Sequence, residues 1–186
     1  LNELGQGASA TVKANNDAGA VGAASVGGTL YCYPLTSDNG YYMYYDKSVI
    51  KESSLDSLEA IIADCEAAGR NFSYELANNA WYNAGFFFAT GCKSNWSMNE
   101  AGEFTTVDDD FNSANGLIAM KGMEKLAKSS CYDSNADIFT DAGVVITGIW
   151  NANAAAEHFG ANLGATDLPS FEVDGKSYHL GSYTGN

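Results

Sequence analysis

Basic residues are scarce in this chain. Its 186 residues contain 9 Lys and Arg against 23 Asp and Glu, which gives a formal net charge of −14. No stretch is rich in lysine or arginine, so the electrostatic footprint of a nucleic-acid-binding protein is missing. An acidic face is equally unfavourable towards anionic lipid. Charge therefore excludes nucleic acid as a partner.

Long apolar runs and known catalytic motifs are also missing. No run approaches the ~20 residues that a transmembrane helix needs. The sequence contains no Gly-x-Ser-x-Gly elbow, no Walker loop and no dinucleotide fingerprint, so we expect no cofactor and no enzymatic activity. It also has no initiator methionine or signal peptide, and both ends look cut, so we interpret it as a fragment of a longer protein.

Metal-binding patterns are absent as well. The run at residues 108–110 is acidic, but no EF-hand spacing follows it, so helix capping beside a solvated acidic edge explains it better. His158 and His179 have no companion at ligand spacing. None of the four cysteines forms a Cys-x-x-Cys pair, which argues against zinc and thioredoxin-like sites.

The cysteines fall into two groups by their surroundings. Cys65 on a helix and Cys32 in a strand are expected to be buried apolar residues. Cys92 follows a loop glycine and Cys131 follows a helix end, so both are expected to be accessible. If the protein is exported, a Cys92–Cys131 disulfide is a candidate, although sequence alone does not settle the pairing.

What the sequence does contain is an alternation of strand-like and helix-like segments, which is typical of an α/β fold. One strand is especially clear: residues 144–147 are apolar or β-branched and stop at Gly148, where we expect a sharp turn. Trp150 then stands between the strand and a helical stretch, where open α/β sheets place their ligands. We predict that Trp150 contacts a ligand, with core packing as the alternative.

A second aromatic candidate lies at the start of another helix. Trp81, Asn79 and Tyr82 open the predicted helix at residues 79–89, and we regard all three as ligand candidates. Packing explains Trp81 about as well, and Asn79 has the alternative role of a helix cap. Trp96 lies in a predicted hairpin and is interpreted as structural.

Several blocks together resemble a known family. They resemble, in the same order along the chain, motifs of the extracellular solute-binding proteins of carbohydrate ABC transporters, the maltose-binding-protein-like family. The blocks are GTLYCYP at residues 28–34, YYDK at 44–47, SLDSL at 54–58, GIW at 148–150 and LPS at 168–170. The chain departs from the family's usual residues at Asp46, Leu55 and Ile149, where the family has Asn, Trp and Pro.

The resemblance implies two α/β lobes joined by a hinge, with the ligand held between them. It assigns residues 1–37 to the end of the amino-terminal lobe and the first hinge crossing. Residues 38–177 would form the carboxyl-terminal lobe, and residues 178–186 the return crossing. The chain would then carry one wall of a periplasmic-binding-protein-like cleft.

The same resemblance implies a ligand and partners. Trp150, Trp81 and Asn79 would face a sugar or oligosaccharide of the maltodextrin type. Asp38 and Asn39 would add polar contacts at the crossing, with plain turn chemistry as the alternative. The intact protein would be extracellular or periplasmic, held at the membrane by a lipid anchor, and would deliver its solute to ABC transporter permease subunits.

Two other function classes stay open. Acidic residues are plentiful, and a glycosidase needs only two suitably placed carboxylates, so a carbohydrate-active hydrolase or esterase domain is one alternative. The Asn, Gly, Ser and Tyr content also suits a structural or adhesion module of a bacterial surface. A single lobe would expose apolar surface and strand edges, so self-association is a further expectation.

Overall fold

The computed structural model of the chain describes residues 7–36, 39–135 and 139–182. The chain divides into two compact units, and the boundary lies between Gly40 and Tyr41. The crossing predicted at residues 37 and 38 lies outside the described residues. Tyr178 and His179, the first residues of the predicted return crossing, lie in a strand of the larger unit.

The smaller unit contains two short helices and a hairpin. Its elements are α1 (Ala8–Asn15), α2 (Ala18–Ala23), β1 (Ser25–Val26) and β2 (Thr29–Leu30). Asp17 caps α2 by accepting hydrogen bonds from two backbone N–H groups. Gly27 and Gly28 join the strands with φ of 55° and 79°, as tight hairpin turns require. Cys32 follows β2 and is exposed, so the buried strand position predicted for it is wrong.

The larger unit contains four helices and nine strands within the described residues. The helices are α3 (Leu58–Ala68), α4 (Ala80–Ala89), α5 (Ala114–Ala127) and α6 (Ala152–Phe159). The strands are β3 (Tyr41–Asp46), β4 (Asn71–Ser73), β5 (Ser94–Met98), β6 (Phe104–Asp109), β7 (Tyr132–Asp133), β8 (Ala142–Gly148), β9 (Leu163–Thr166), β10 (Ser170–Val173) and β11 (Lys176–His179).

Five of these strands form one mixed sheet in the order β7-β4-β8-β3-β9. Strand β4 runs parallel to β7 and β8, whereas β3 runs antiparallel to β8 and β9. All seven residues of β8 are buried, as expected for a central strand covered on both faces. The predicted α/β class is confirmed.

Helices cover both faces of this sheet. On one face the core joins side chains of α3, α4 and α5 to the sheet, with Val144 and Ile146 of β8 among them. On the other face Val145 packs against Ala155 and Phe159 of α6. The alternation along β8 follows the two-residue period of a strand. The sheet thus holds the end of β8 firmly between two helical layers.

Side-chain caps define where the helices begin. Ser57, Asn79 and Ser113 each accept a hydrogen bond from a backbone N–H of the first turn of α3, α4 and α5. Ser54 lies before α3 and ends a short 3₁₀ turn, Glu52–Ser54. No helix in the described ranges is long and apolar enough to cross a bilayer.

The hairpin β5–β6 projects from the unit. Nearly all its residues are exposed, and Trp96 packs only edge-on against Phe104, with 5.2 Å between ring centroids. The structure therefore confirms the predicted hairpin and places Trp96 at its surface rather than in the core.

The Cys92–Cys131 disulfide considered from sequence does not fit this structure, because the two residues lie near opposite ends of α5. Cys92 lies near Ser113 at the start of α5, whereas Cys131 follows its other end. A helix of 14 residues is about 21 Å long, far beyond the 4.4–6.8 Å that separates the Cα atoms of a disulfide.

Close packing of α5 on β10 generates a stability prediction. A Cβ on Gly122 would lie 2.5 Å from the ring of the buried Phe171. We expect Gly122→Ala to lower the free energy of unfolding by about 1–2 kcal/mol, because overpacking outweighs the helix-propensity gain of about 1 kcal/mol. Thermal unfolding should then shift down by about 3–6 °C. Leu117→Ala, at an exposed position of α5, is the matched control. A Gly122→Ala protein as stable as wild type would contradict this packing.

Candidate ligand-binding site

Trp150 lies in a 3₁₀ turn, Ile149–Asn151, between the end of β8 and the start of α6. Half of its side-chain surface is exposed, at 50%, although it directly follows a fully buried strand. Asn151 braces the turn, because its Nδ2 donates a hydrogen bond of 2.9 Å to Thr147 Oγ1. The sheet edge thus presents a large aromatic ring on a fixed support.

Gly148 is needed for a different reason from the one predicted. Its backbone is extended, with φ of −76°, so it makes no sharp turn. Instead the indole of Trp150 lies directly over it, and a Cβ there would come within 2.1 Å of ring atoms Cζ3 and Cη2. Only glycine leaves room for the ring to lie back over the end of the strand.

Trp81 lies beside Trp150 and is half-buried, with part of its surface packed against the core. The two indoles are stacked, with ring centroids 5.7 Å apart and planes 25° apart. Trp81 is in the first turn of α4, and Trp150 precedes α6, so two separate elements supply the pair. We call Trp81 and Trp150 the tryptophan pair.

Tyr41 supports the tryptophan pair from the core. It is fully buried, pairs with Gly148 in the sheet, and meets Trp81 edge-on at 5.3 Å. Its hydroxyl donates to the carbonyl oxygens of Gly181 at 3.2 Å and Trp81 at 3.4 Å. Its N–H donates to Ser182 Oγ at 3.2 Å. One side chain therefore joins β3, α4 and the segment after β11.

Tyr82 and Asn79 have supporting positions. Tyr82 is only 2% exposed and stacks on Trp81 from within the core, so it does not present the ligand-facing surface proposed for it from sequence. Asn79 Oδ1 accepts a hydrogen bond from Tyr82 N–H, and its Nδ2 donates to Glu75. The structure therefore shows Asn79 as the N-cap of α4, which was the alternative to a ligand contact.

A buried tyrosine completes the support. Tyr74 donates its hydroxyl proton to the Tyr82 carbonyl oxygen at 3.0 Å. Burial raises the pKa of Tyr74 well above its usual value, and the neighbouring Tyr41 and Tyr82 act in the same direction. The phenol therefore stays protonated and keeps donating this hydrogen bond.

The ligand contacts predicted for Asp38 and Asn39 remain predictions. Asp38 lies outside the described residues. Asn39 is half-buried and precedes β3 by two positions, so it lies close in sequence to Tyr41. Trp81 and Trp150, which sequence reasoning named separately, are the two candidates that the structure brings into contact.

Gly85 contributes to the site and was not predicted. A Cβ on Gly85 would lie 3.0 Å from the carbonyl oxygen of Gly181, so the glycine lets α4 approach this segment closely. A signal was present, because glycine in a helix interior costs about 1 kcal/mol and is usually kept for packing. The described residues hold no cluster of three or more His, Cys, Asp or Glu side chains suited to a metal ion.

Comparison with known proteins gives a consistent match. Residues 6–184 match the family described as bacterial extracellular solute-binding protein. No curated protein matches the sequence.

Solved structures share the fold at low identity. A maltodextrin binding protein from L. casei BL23, without ligand, has a TM-score of 0.72 at 21% identity, covering 91% of this chain and 44% of its own. A Staphylococcus aureus extracellular solute-binding protein, in complex with maltose, has a TM-score of 0.63 at 20% identity, and the match covers 94% of this chain and 50% of that protein. A Streptomyces glaucescens receptor, solved unliganded and with acarbose, has a TM-score of 0.61 at 15% identity, and the match covers 91% of this chain and 47% of that protein. The chain thus spans about half the length of these proteins.

The contact between the two indoles makes a spectroscopic prediction. Stacked indoles couple their electronic transitions, so the wild-type chain should show an exciton couplet in its circular dichroism. Gly148→Ala should abolish the couplet, because the new Cβ occupies the place of the Trp150 ring. Trp150→Phe should abolish it without touching the strand. Trp96→Phe, which removes the tryptophan of the hairpin, should leave it intact. A couplet that survives Trp150→Phe and disappears with Trp96→Phe would contradict the tryptophan pair.

Proposed function

This chain belongs to the bacterial extracellular solute-binding protein family, and we propose that it carries one wall of a site for a maltodextrin-like oligosaccharide. In this proposal the intact protein captures the sugar outside the membrane and delivers it to the permease subunits of an ABC transporter. A lipid anchor would keep it at the membrane. The family supports the extracellular location, and its members bind solutes rather than convert them.

The tryptophan pair is the observation that best supports a sugar as the ligand. The C–H faces of a pyranose pack on flat aromatic surface, and the exposed Trp150 indole, stacked on Trp81, offers such a surface with an N–H donor at its rim. Trp150 keeps half its surface exposed while its backbone is fixed by a fully buried strand. A rigid exposed aromatic ring loses little entropy on binding a flexible oligosaccharide.

Several relatives of similar fold support the ligand class. Solved structures of this fold include complexes with maltose, maltotetraose and acarbose, all of them oligosaccharides or analogues. The contacts of Trp81 with Trp150, Tyr41 and Tyr82 are between aromatic rings, which suits a neutral ligand. Stacking with hydrogen bonds at the rim is the recognition chemistry a neutral sugar needs.

The span of the chain sets the expected affinity. It covers about half of each relative, and we propose that the remaining contacts come from a second lobe that closes over the sugar. A ligand stabilises a closed state only by the contacts it gains there. One wall alone should therefore hold the sugar weakly.

Titration of the chain with maltotetraose, followed by tryptophan fluorescence, tests the proposal. We expect a Kd of about 1 mM or weaker, which corresponds to about −4 kcal/mol. Trp150→Ala should weaken binding by about 3–10-fold, because an aromatic contact is worth about 0.5–1.5 kcal/mol beyond its area.

Trp96→Ala is the matched control, since it removes an exposed tryptophan outside the pair, and it should leave the Kd unchanged. Equal binding by the wild-type and Trp150→Ala chains would refute the role of the pair. A micromolar Kd for the chain alone would refute the two-lobe account.

A further inference from the structure

Two cysteines that sequence reasoning did not pair belong to the same core cluster of the larger unit. Cys65 lies in the last turn of α3, with its Sγ 4.0 Å from the carbonyl oxygen of Asn71, and Cys131 precedes β7. The Cys131 thiol also lies 3.8 Å from the carbonyl oxygen of Ile62, one helical turn before Cys65. This places the Cys131 side chain against the face of α3 that carries Cys65.

Backbone pairing fixes both residues independently of their side chains. The N–H of Phe72 in β4 donates to the Cys131 carbonyl oxygen at 2.8 Å. The N–H of Arg70 donates to the Cys65 carbonyl oxygen at 3.0 Å, in the turn that leads from α3 to β4. Both cysteines are thus held by backbone hydrogen bonds next to the start of β4. A fixed backbone on both sides favours a single geometry for a bond between them.

The two thiols differ in access. Cys65 is fully buried, whereas Cys131 is 5% exposed and lines a surface cavity of about 170 Å³ with Glu66, Arg70 and Ser130. The neighbouring Cys65 thiol lowers the pKa of the Cys131 thiol to about 7, and Ser129 acts in the same direction. The neighbouring Cys131 thiol and burial raise the pKa of Cys65. Cys131 is therefore the thiol that ionises first and that a reagent can reach.

We propose that Cys65 and Cys131 form a redox-active dithiol that closes to a disulfide outside the cell. Extracellular compartments are oxidising, and the chain's family is extracellular. The oxidant is a disulfide of the thiol–disulfide exchange type. The Cys131 thiolate attacks one of its sulfurs, forming a mixed disulfide and releasing the first thiolate. The Cys65 sulfur then attacks Cys131 Sγ, loses its proton and releases the second thiol.

The disulfide would stabilise the part of the larger unit that holds Trp81. The loop that it closes runs from α3 to β7 and contains β4, α4, β5, β6 and α5. Trp81 at the start of α4 lies inside this loop. Cross-linking a long loop restricts the unfolded chain and so stabilises the folded one. Oxidation should therefore stabilise the unit that holds the tryptophan pair.

Equilibration with oxidised glutathione, followed by thiol counting in denaturant and peptide mapping, tests the proposal. We expect a linked peptide that contains Cys65 and Cys131, and glutathione on the exposed Cys32. The oxidised chain should melt roughly 10 °C higher than the reduced chain. The double variant Cys65→Ser, Cys131→Ser should show no such difference.

Single variants identify the attacking thiol. Cys65→Ser should trap one glutathione on Cys131, whereas Cys131→Ser should trap none on the buried Cys65. Cys92→Ser is the matched control, because Cys92 is buried near the start of α5, and this variant should still form the linked peptide. Four free thiols after oxidation of the wild type would overturn the proposal, as would linked peptides that contain Cys32 or Cys92. The wild-type peptide map decides the case even if a variant does not fold.

Discussion

The site depends on the close approach of the Trp150 indole to the backbone at Gly148. The missing Cβ there leaves the space that the ring occupies, and any side chain would push the ring away. Because β8 is buried along its whole length, the backbone that carries the ring is held by the packed core and does not move with solvent-exposed loops. The stacking with Trp81 follows from this position.

Tyr41 connects the end of β8 to other parts of the larger unit. It pairs with Gly148, meets Trp81 edge-on, and donates its hydroxyl to the backbone of Gly181. Glycine at position 85 brings α4 close enough for these contacts. Because a buried hydroxyl without a partner is costly, these hydrogen bonds also fix where the chain enters and leaves the unit.

Local patterns in the sequence predicted part of this arrangement. The β-branched run of β8, the helix beginning at Asn79 and the α/β class were predictable, because each is written in neighbouring residues. What sequence could not supply was which groups meet in space. Tyr82 lies beneath Trp81, Gly148 makes room for a ring two residues on, and Cys131 packs against α3, which carries Cys65, rather than near Cys92. These are tertiary contacts, and no local periodicity encodes them.

The central claim is that Trp81 and Trp150 together contact a sugar, and indole N–H resonances of the isotopically labelled chain test it most directly. The chain has three tryptophans, and the third, Trp96, lies on the exposed hairpin. On addition of maltotetraose, we expect the signals of Trp81 and Trp150 to shift together along one binding curve while that of Trp96 stays in place. A shift confined to Trp96, or no shift at sugar concentrations about ten times the expected Kd, would contradict the claim.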